Sequence, residues 1–88
     1  MTRDEQLAEV KKALNVTGTA LDNTLSSYLD EVKLYMSDAG VDIRVVNAQE
    51  SIGCICRGVA DLYIERQLSQ YFYQRLSQLA LYEGHEDE

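Results

Sequence analysis

The chain lacks proline and tryptophan altogether, and its 88 residues include one histidine, two cysteines and eight basic residues. Without proline, no helix along the chain is forced to kink or break. No apolar run approaches the roughly 20 residues of a membrane-spanning helix, and the opening MTRDEQLAEVKK is charged where a secretory signal is apolar. These absences predict one small, soluble, intracellular domain.

Basic residues are scarce relative to acidic ones, with eight Lys and Arg against 15 Asp and Glu and a net charge of −7. A DNA-binding protein needs a surface rich in Lys and Arg, so sequence-specific DNA binding is not expected. Four acids lie in the final segment EGHEDE, which we interpret as a solvated acidic tail over residues 83–88, beyond a single domain over residues 1–82. His85 in this tail lacks the fixed partners that a metal or proton-transfer site requires.

Cys54 and Cys56 are separated by one residue in the segment SIGCICRGVADLY. Apolar residues recur there at helical spacing, and residues i and i+2 of a helix point about 200° apart. The two sulfurs therefore cannot share a metal or bond to each other, and cysteine-based zinc and redox motifs use at least two intervening residues. We predict that both are reduced, metal-free packing residues. Cys56 is expected on the core stripe, and Cys54 on the opposite side beside Gly58, where another backbone could approach.

Residue patterns typical of catalysis are missing from the sequence. No catalytic pairing of the histidine with a cysteine or a serine is indicated, no glycine-rich phosphate loop is present, and no Glu-x-x-His motif occurs. We therefore predict a protein that is not an enzyme and that uses no cofactor and no metal.

Helical periodicity and capping residues predict an all-α fold, a small bundle of about four helices with short loops. Thr2 and Glu5 form a capping box before the first helix, and Asn15 is a candidate left-handed cap at its end. Thr19 is expected to open the second helix and Gly40 to terminate it. The predicted helices cover residues 3–14, 20–39, 48–66 and 70–82.

The segment VDIRVV, between the second and third helices, alternates apolar and polar residues as a strand would. A lone strand cannot satisfy its own backbone, so we interpret the segment as an extended loop. Its residues Val41, Ile43 and Val45 are expected on the core or against a neighbouring subunit. Asn47 or Ser51 is then expected to cap the third helix.

Aromatic residues concentrate near the C-terminus, where three of the six Tyr and the one Phe lie between residues 63 and 73. Ser69 is expected to cap the last helix, on which Tyr71 and Tyr73 flank the apolar face. Tyrosine suits an interface that is partly apolar and partly wet. The segment from Tyr63 to Leu81 is therefore predicted to dock on other protein chains.

Four stretches of the chain resemble the head–tail connector, or adaptor, proteins of long-tailed double-stranded DNA bacteriophages and prophages. The more specific ones are SIGCICRGVADLY and LSQYFYQRLSQLAL, and the more generic ones are EVKKALNV and ALDNTLSSYLDEVKLYMSDAGV. Members of that family tend to have a glycine-rich loop between ADLY and LS, whereas only IERQ intervenes here. This departure leaves open whether the last two helices are separate or continuous.

The resemblance implies a structural virion subunit, made in the bacterial cytoplasm, that forms a homo-oligomeric ring beneath the portal. It implies three kinds of partner: copies of the same chain, the portal protein, and a tail-side stopper or tail-completion protein. DNA would pass through the ring without sequence-specific binding, and no membrane is involved. A closed ring needs two different surfaces on each subunit. The residues expected at protein interfaces are Val41, Ile43, Val45, Cys54, Gly58, Tyr63, Arg66, Tyr71 and Tyr73.

A second hypothesis is a small acidic phage or prophage regulator that inhibits a host protein by mimicking the charge of DNA. Such a mimic needs dense rows of carboxylates, and here Lys and Arg are interspersed among them. The connector hypothesis therefore ranks first.

Overall fold

The computed structural model describes the backbone of residues 1–86 and the side chains of residues 1–81, and this part of the chain is helical without a strand. The all-α prediction is confirmed. Short 3-10 and π turns, over Gln49–Ser51 and Asp61–Glu65, adjoin the fourth helix. The α-helices are α1 (Arg3–Leu14), α2 (Asp22–Asp38), α3 (Ile43–Val46), α4 (Ile52–Ala60) and α5 (Gln70–Glu86).

Helix α1 has the predicted bounds because both of its ends are set by local signals. The Thr2 hydroxyl accepts the Glu5 N–H at 3.1 Å, and the Glu5 carboxylate accepts the Thr2 N–H at 2.8 Å. At the other end Asn15 adopts the left-handed conformation with φ 58°. The N–H groups of Asn15 and Val16 then bond back to the last turn of the helix, which satisfies its free carbonyls.

Helix α2 ends as predicted but begins later. Gly40 has φ 98°, and its N–H and that of Val41 bond to Ser37 and Met36, as in a Schellman motif. At the start, the prediction of a Thr19 cap is wrong, because residues 19–22 form a turn and no side chain caps the helix.

The VDIRVV segment forms the short helix α3, so the expectation of an extended loop is wrong. The Asp42 carboxylate accepts the Arg44 N–H at 2.8 Å, and the backbone groups of the segment bond within it and to its ends. A helical turn thus satisfies the backbone hydrogen-bonding groups of the segment, which a lone strand could not do. It also separates the three apolar residues, since Val41 and Val45 are each 2% exposed whereas Ile43 is 57% exposed.

The core lies around α4, which packs against α1, α2 and α5. Two glycines within α4 disfavour a helix by about 1 kcal/mol each relative to alanine, whereas each buried aliphatic side chain contributes roughly 1.5–3 kcal/mol. Packing therefore stabilises this helix. The fully buried core side chains, none more than 1% exposed, are Val10, Leu25, Leu29, Val32, Met36, Val46, Cys54, Ile55, Val59 and Phe72.

The last two helices are separate, which answers the question left open by the short IERQ connection. The chain leaves α4 through the π turn, and Arg66 then takes the left-handed conformation with φ 63° and ψ 15°. Ser69 caps α5 as predicted, because its hydroxyl accepts the Phe72 N–H at 3.3 Å. Helix α5 continues past the predicted end at residue 82 into the segment interpreted as a tail. The tail side chains lie outside the described residues. The described molecule measures 44 × 25 × 18 Å.

Candidate protein-interaction surface

The residues predicted at interfaces divide into a buried and an exposed group. Val41, Val45, Cys54 and Gly58 are buried inside the chain, so they offer no surface to a partner. Tyr63 is half-buried. The exposed members, which remain candidates for contact with a partner, are Ile43, Arg66, Tyr71 and Tyr73.

Gly58 is buried because it lies where α4, α2 and α5 approach one another. A Cβ atom placed on it would lie 2.8 Å from Cε1 of Phe72 and 2.9 Å from Cγ1 of Val32. The sequence predicted that another backbone could approach beside Gly58, whereas the groups that approach it are side chains of its own chain.

The two cysteines occupy the reverse of their predicted faces. Cys54 is 1% exposed and lies in the core, whereas Cys56 is half-buried at its edge. Burial raises the pKa of the Cys54 thiol to about 11 and also raises the pKa of Cys56. Since the thiolate is the reactive form, both side chains are held in the less reactive thiol state.

A buried carboxylate fixes the turn between α4 and α5. Asp61, 5% exposed, accepts the Ser69 backbone N–H at 3.0 Å and pairs with Nε of Arg57 at 3.2 Å. The Arg57 guanidinium also lies over the Tyr71 ring, 5.3 Å from its centroid. Sequence reasoning missed this arrangement. The i, i+4 spacing of Arg57 and Asp61 was the available signal, but nothing in the spacing pointed to Ser69.

Aromatic rings join α2 to α5. The Tyr35 ring packs edge-on against Phe72 and Tyr73, with centroids 6.1 Å and 5.8 Å away. A hydrogen bond between the two phenols, with partial burial, raises the pKa of Tyr35. Tyr28 and Tyr63 make a similar edge contact at 6.5 Å. Tyr73 thus takes part in intramolecular packing while remaining 42% exposed.

Tyr71 and Tyr73 lie on opposite flanks of α5. They are two residues apart and so point about 200° apart, with the buried side chain of Phe72 between them. Tyr71, 60% exposed, faces the Arg57 side, whereas Tyr73 faces the Tyr35 side. One helix therefore presents two different aromatic surfaces.

A polar network crosses the other side of the bundle. Gln6 is fully buried, and its side chain accepts a hydrogen bond from Lys33 at 2.8 Å and donates one to Asn47 at 3.5 Å. Burial lowers the pKa of Lys33. The network ties α1, α2 and the end of α3 together, and it has a structural role.

No metal-binding cluster is formed by the described side chains. Among them, no group of three or more His, Cys, Asp or Glu residues could hold a metal ion. A depression at the end of α1 is lined by Lys11, Lys12 and Gly18, but the Lys11 ammonium is already bound to the Gly18 carbonyl and the Asp22 carboxylate. No helix in the described part of the chain is long and apolar enough to cross a membrane.

Comparisons of the chain with known protein families, with curated proteins and with solved structures find no match.

Proposed function

We propose that the protein is a structural subunit of a phage head–tail connector, a ring beneath the portal that joins capsid to tail and lets DNA pass. The observation that carries the proposal is the exposure of Tyr71 and Tyr73 on α5, the helix formed by the more specific LSQYFYQRLSQLAL motif. Large aromatic side chains in such positions are the usual anchors of protein interfaces.

The placement of the two tyrosines supports a ring in particular. In a ring, each subunit contacts its two neighbours through two different surfaces. Tyr71 and Tyr73 mark two different sides of one helix, and each is held by a neighbour, Arg57 or Tyr35. Ile43, exposed on α3, is a further apolar contact point on a separate element.

The charge distribution supports passage of DNA without binding to it. Five of the eight basic side chains pair with acids of the same chain, as in the bidentate pair of Arg3 with Asp30 and the pair of Lys12 with Glu9. Pairing of most cations within the chain leaves few free charges for phosphate contacts. The same pairing disfavours a DNA mimic, because it interrupts the rows of carboxylates that a mimic requires.

The test is the double variant Tyr71→Ser/Tyr73→Ser. Circular dichroism establishes that helix content survives, and light scattering then measures ring formation alone and with the portal protein. We expect assembly to fall by at least tenfold, as for the loss of interface anchors. Gln70→Ser/Gln74→Ser, which changes exposed residues of the same helix, is the matched control and should assemble normally. Unchanged assembly of a well-folded double variant would overturn the assignment.

A further inference from the structure

The C-terminal half of the outward face of α2 carries four exposed residues at helical spacing, Glu31, Leu34, Tyr35 and Asp38. At 100° per residue they fall within an arc about 100° wide, on the side away from the buried residues of the same helix. Leu34 is 62% exposed and Tyr35 40% exposed. We call this set the α2 outer face.

In the apolar part of the α2 outer face, Tyr35 is already ordered in the absence of a partner. Tyr35 is held by its edge contacts with Phe72 and Tyr73. A side chain that is already ordered loses little conformational entropy on binding. Leu34, beside it on the same helix, extends the apolar surface away from α5.

The acidic part of the face is not neutralised by the chain itself. Glu31 and Asp38 lie one turn to either side of the apolar pair, and neither makes an ion pair within the described residues. Asp30, next to Glu31, differs because it is paired with Arg3. The apolar pair is therefore bracketed along the helix by two unpaired carboxylates.

We propose that the α2 outer face binds an amphipathic helix of another protein, one whose apolar residues are bracketed by Lys or Arg one turn to either side. Charge complementarity selects this partner, since two carboxylates seven residues apart match two cations at the same spacing. The inference involves Tyr73, which is also proposed as a ring contact, but it does not rest on ring formation.

A second copy of the chain does not offer the matching surface. No two of its eight basic residues are seven positions apart, so none of its helices repeats the required pattern. Its net charge of −7 also opposes face-to-face pairing of the acidic surfaces. The partner is therefore a different, cationic helix.

The experiment uses the full chain and three dye-labelled peptides of about 18 residues, long enough for helix formation on the surface. The first peptide has leucines at i+3 and i+4 between lysines at i and i+7. The second replaces the lysines by glutamates, and the third scrambles the first so that this spacing is lost. Fluorescence anisotropy measures binding. We expect micromolar affinity for the first peptide, as suits a small surface, and at least tenfold weaker binding of the others.

Two protein variants and a control locate the site. Leu34→Ser and Glu31→Gln/Asp38→Asn should each weaken binding of the first peptide about tenfold. The loss of peptide affinity in Glu31→Gln/Asp38→Asn, relative to the wild type, should be smaller at about 0.5 M salt, because exposed charges are screened there. The control Ile64→Ser/Glu65→Gln changes an aliphatic residue of similar exposure, 64%, and an exposed acid elsewhere, and should bind as the wild type does.

Equal binding of the first peptide by all variants, or of all three peptides by the wild type, would overturn the proposal. So would concentration-dependent dimerisation that Leu34→Ser abolishes, because the face would then be occupied by a second copy. If ring assembly is unchanged in the tyrosine variant while the peptide results are as expected, the connector assignment fails and the α2 outer face is supported independently of it.

Discussion

Gly58 of α4 lies directly against the ring of Phe72 of α5, so closely that a single added methyl group has no room. An ideal Cβ atom on Gly58 would lie 2.8 Å from Cε1 and 3.0 Å from Cδ1 of that ring. Val32 closes the other side at 2.9 Å. Because the ring is itself fully buried, it cannot swing away into solvent. The contact therefore fixes how α2, α4 and α5 approach one another.

We expect Gly58→Ala to destabilise the fold by about 1–3 kcal/mol, the usual effect of overpacking a well-packed core. Urea unfolding followed by circular dichroism measures the change. Gly53→Ala in the same helix is the matched control, because a Cβ atom there meets nothing within 4 Å. It should stabilise the helix by about 0.5–1 kcal/mol. Equal stability of the two variants would contradict the close contact.

The sequence predicted well those features that depend on residues within one helical turn. The capping box of Thr2 and Glu5, the left-handed cap at Asn15, the terminating Gly40 and the Ser69 cap are all present. Each uses a hydrogen bond or a backbone conformation set by neighbours three to five positions away. Such signals are readable without knowledge of the tertiary fold.

The orientation of α4 could not be predicted in the same way. Its most buried side is formed by Ser51, Cys54, Ile55, Gly58 and Val59. An apolar pattern gives little weight to glycine and serine, whereas close helix packing depends on small residues. The apolar pattern therefore predicted a buried face that is rotated from the observed one. It placed Cys56 in the core and Cys54 outside it, whereas the structure shows the reverse.

Contacts between residues distant in the sequence also could not be predicted. The contact between Tyr35 and Tyr73 and the hydrogen bond from Ser69 to Asp61 depend on how helices pack, which no spacing rule fixes. Four of the nine residues predicted at interfaces are consequently buried, and the exposed Leu34 and Tyr35 of α2 were not among those predicted.

We expect Asp61→Ala to destabilise the protein by about 1–3 kcal/mol, because it removes the buried acceptor of the Ser69 N–H and the partner of Arg57. Asp61→Asn keeps one carbonyl oxygen and should lose less. Urea unfolding gives the stability, and hydrogen exchange over residues 69–73 reports the start of α5. Glu65→Ala, an exposed change in the adjoining turn, should stay within about 0.5 kcal/mol of the wild type. A similar value for Asp61→Ala would argue against the role given to this carboxylate.

Cys54 should be protected from thiol reagents in the native protein, since it is 1% exposed and burial raises its pKa to about 11. At about pH 8, Ellman's reagent should modify Cys56 slowly and Cys54 only as the chain unfolds. Mass spectrometry of Cys54→Ala and Cys56→Ala separates the two sites. Native Cys54 reacting as fast as the thiol in urea would contradict its placement.

The same burial predicts a dependence of stability on alkaline pH. The folded-state pKa of Cys54 lies above its ordinary value of 9.0, so the unfolded chain releases this proton first. The stabilising contribution is complete below about pH 9 and is lost as the pH rises toward about 11. The difference in unfolding free energy between the wild type and Cys54→Ala should therefore narrow over this range. A constant difference would count against the raised pKa.

Arg66→Gly should stabilise the protein by up to about 1 kcal/mol, because Arg66 has φ 63° and a side chain disfavours that conformation whereas glycine does not. Arg66→Ala separates backbone strain from loss of charge, since alanine retains the Cβ atom and should match the wild type. Gln67→Gly, at an exposed neighbour without a positive φ, should be destabilising because glycine adds only unfolded-state entropy there. Thermal unfolding of the three variants measures the effect. If Arg66→Gly and Gln67→Gly shift the midpoint in the same direction, the left-handed conformation at the end of the π turn is not what limits stability at this position.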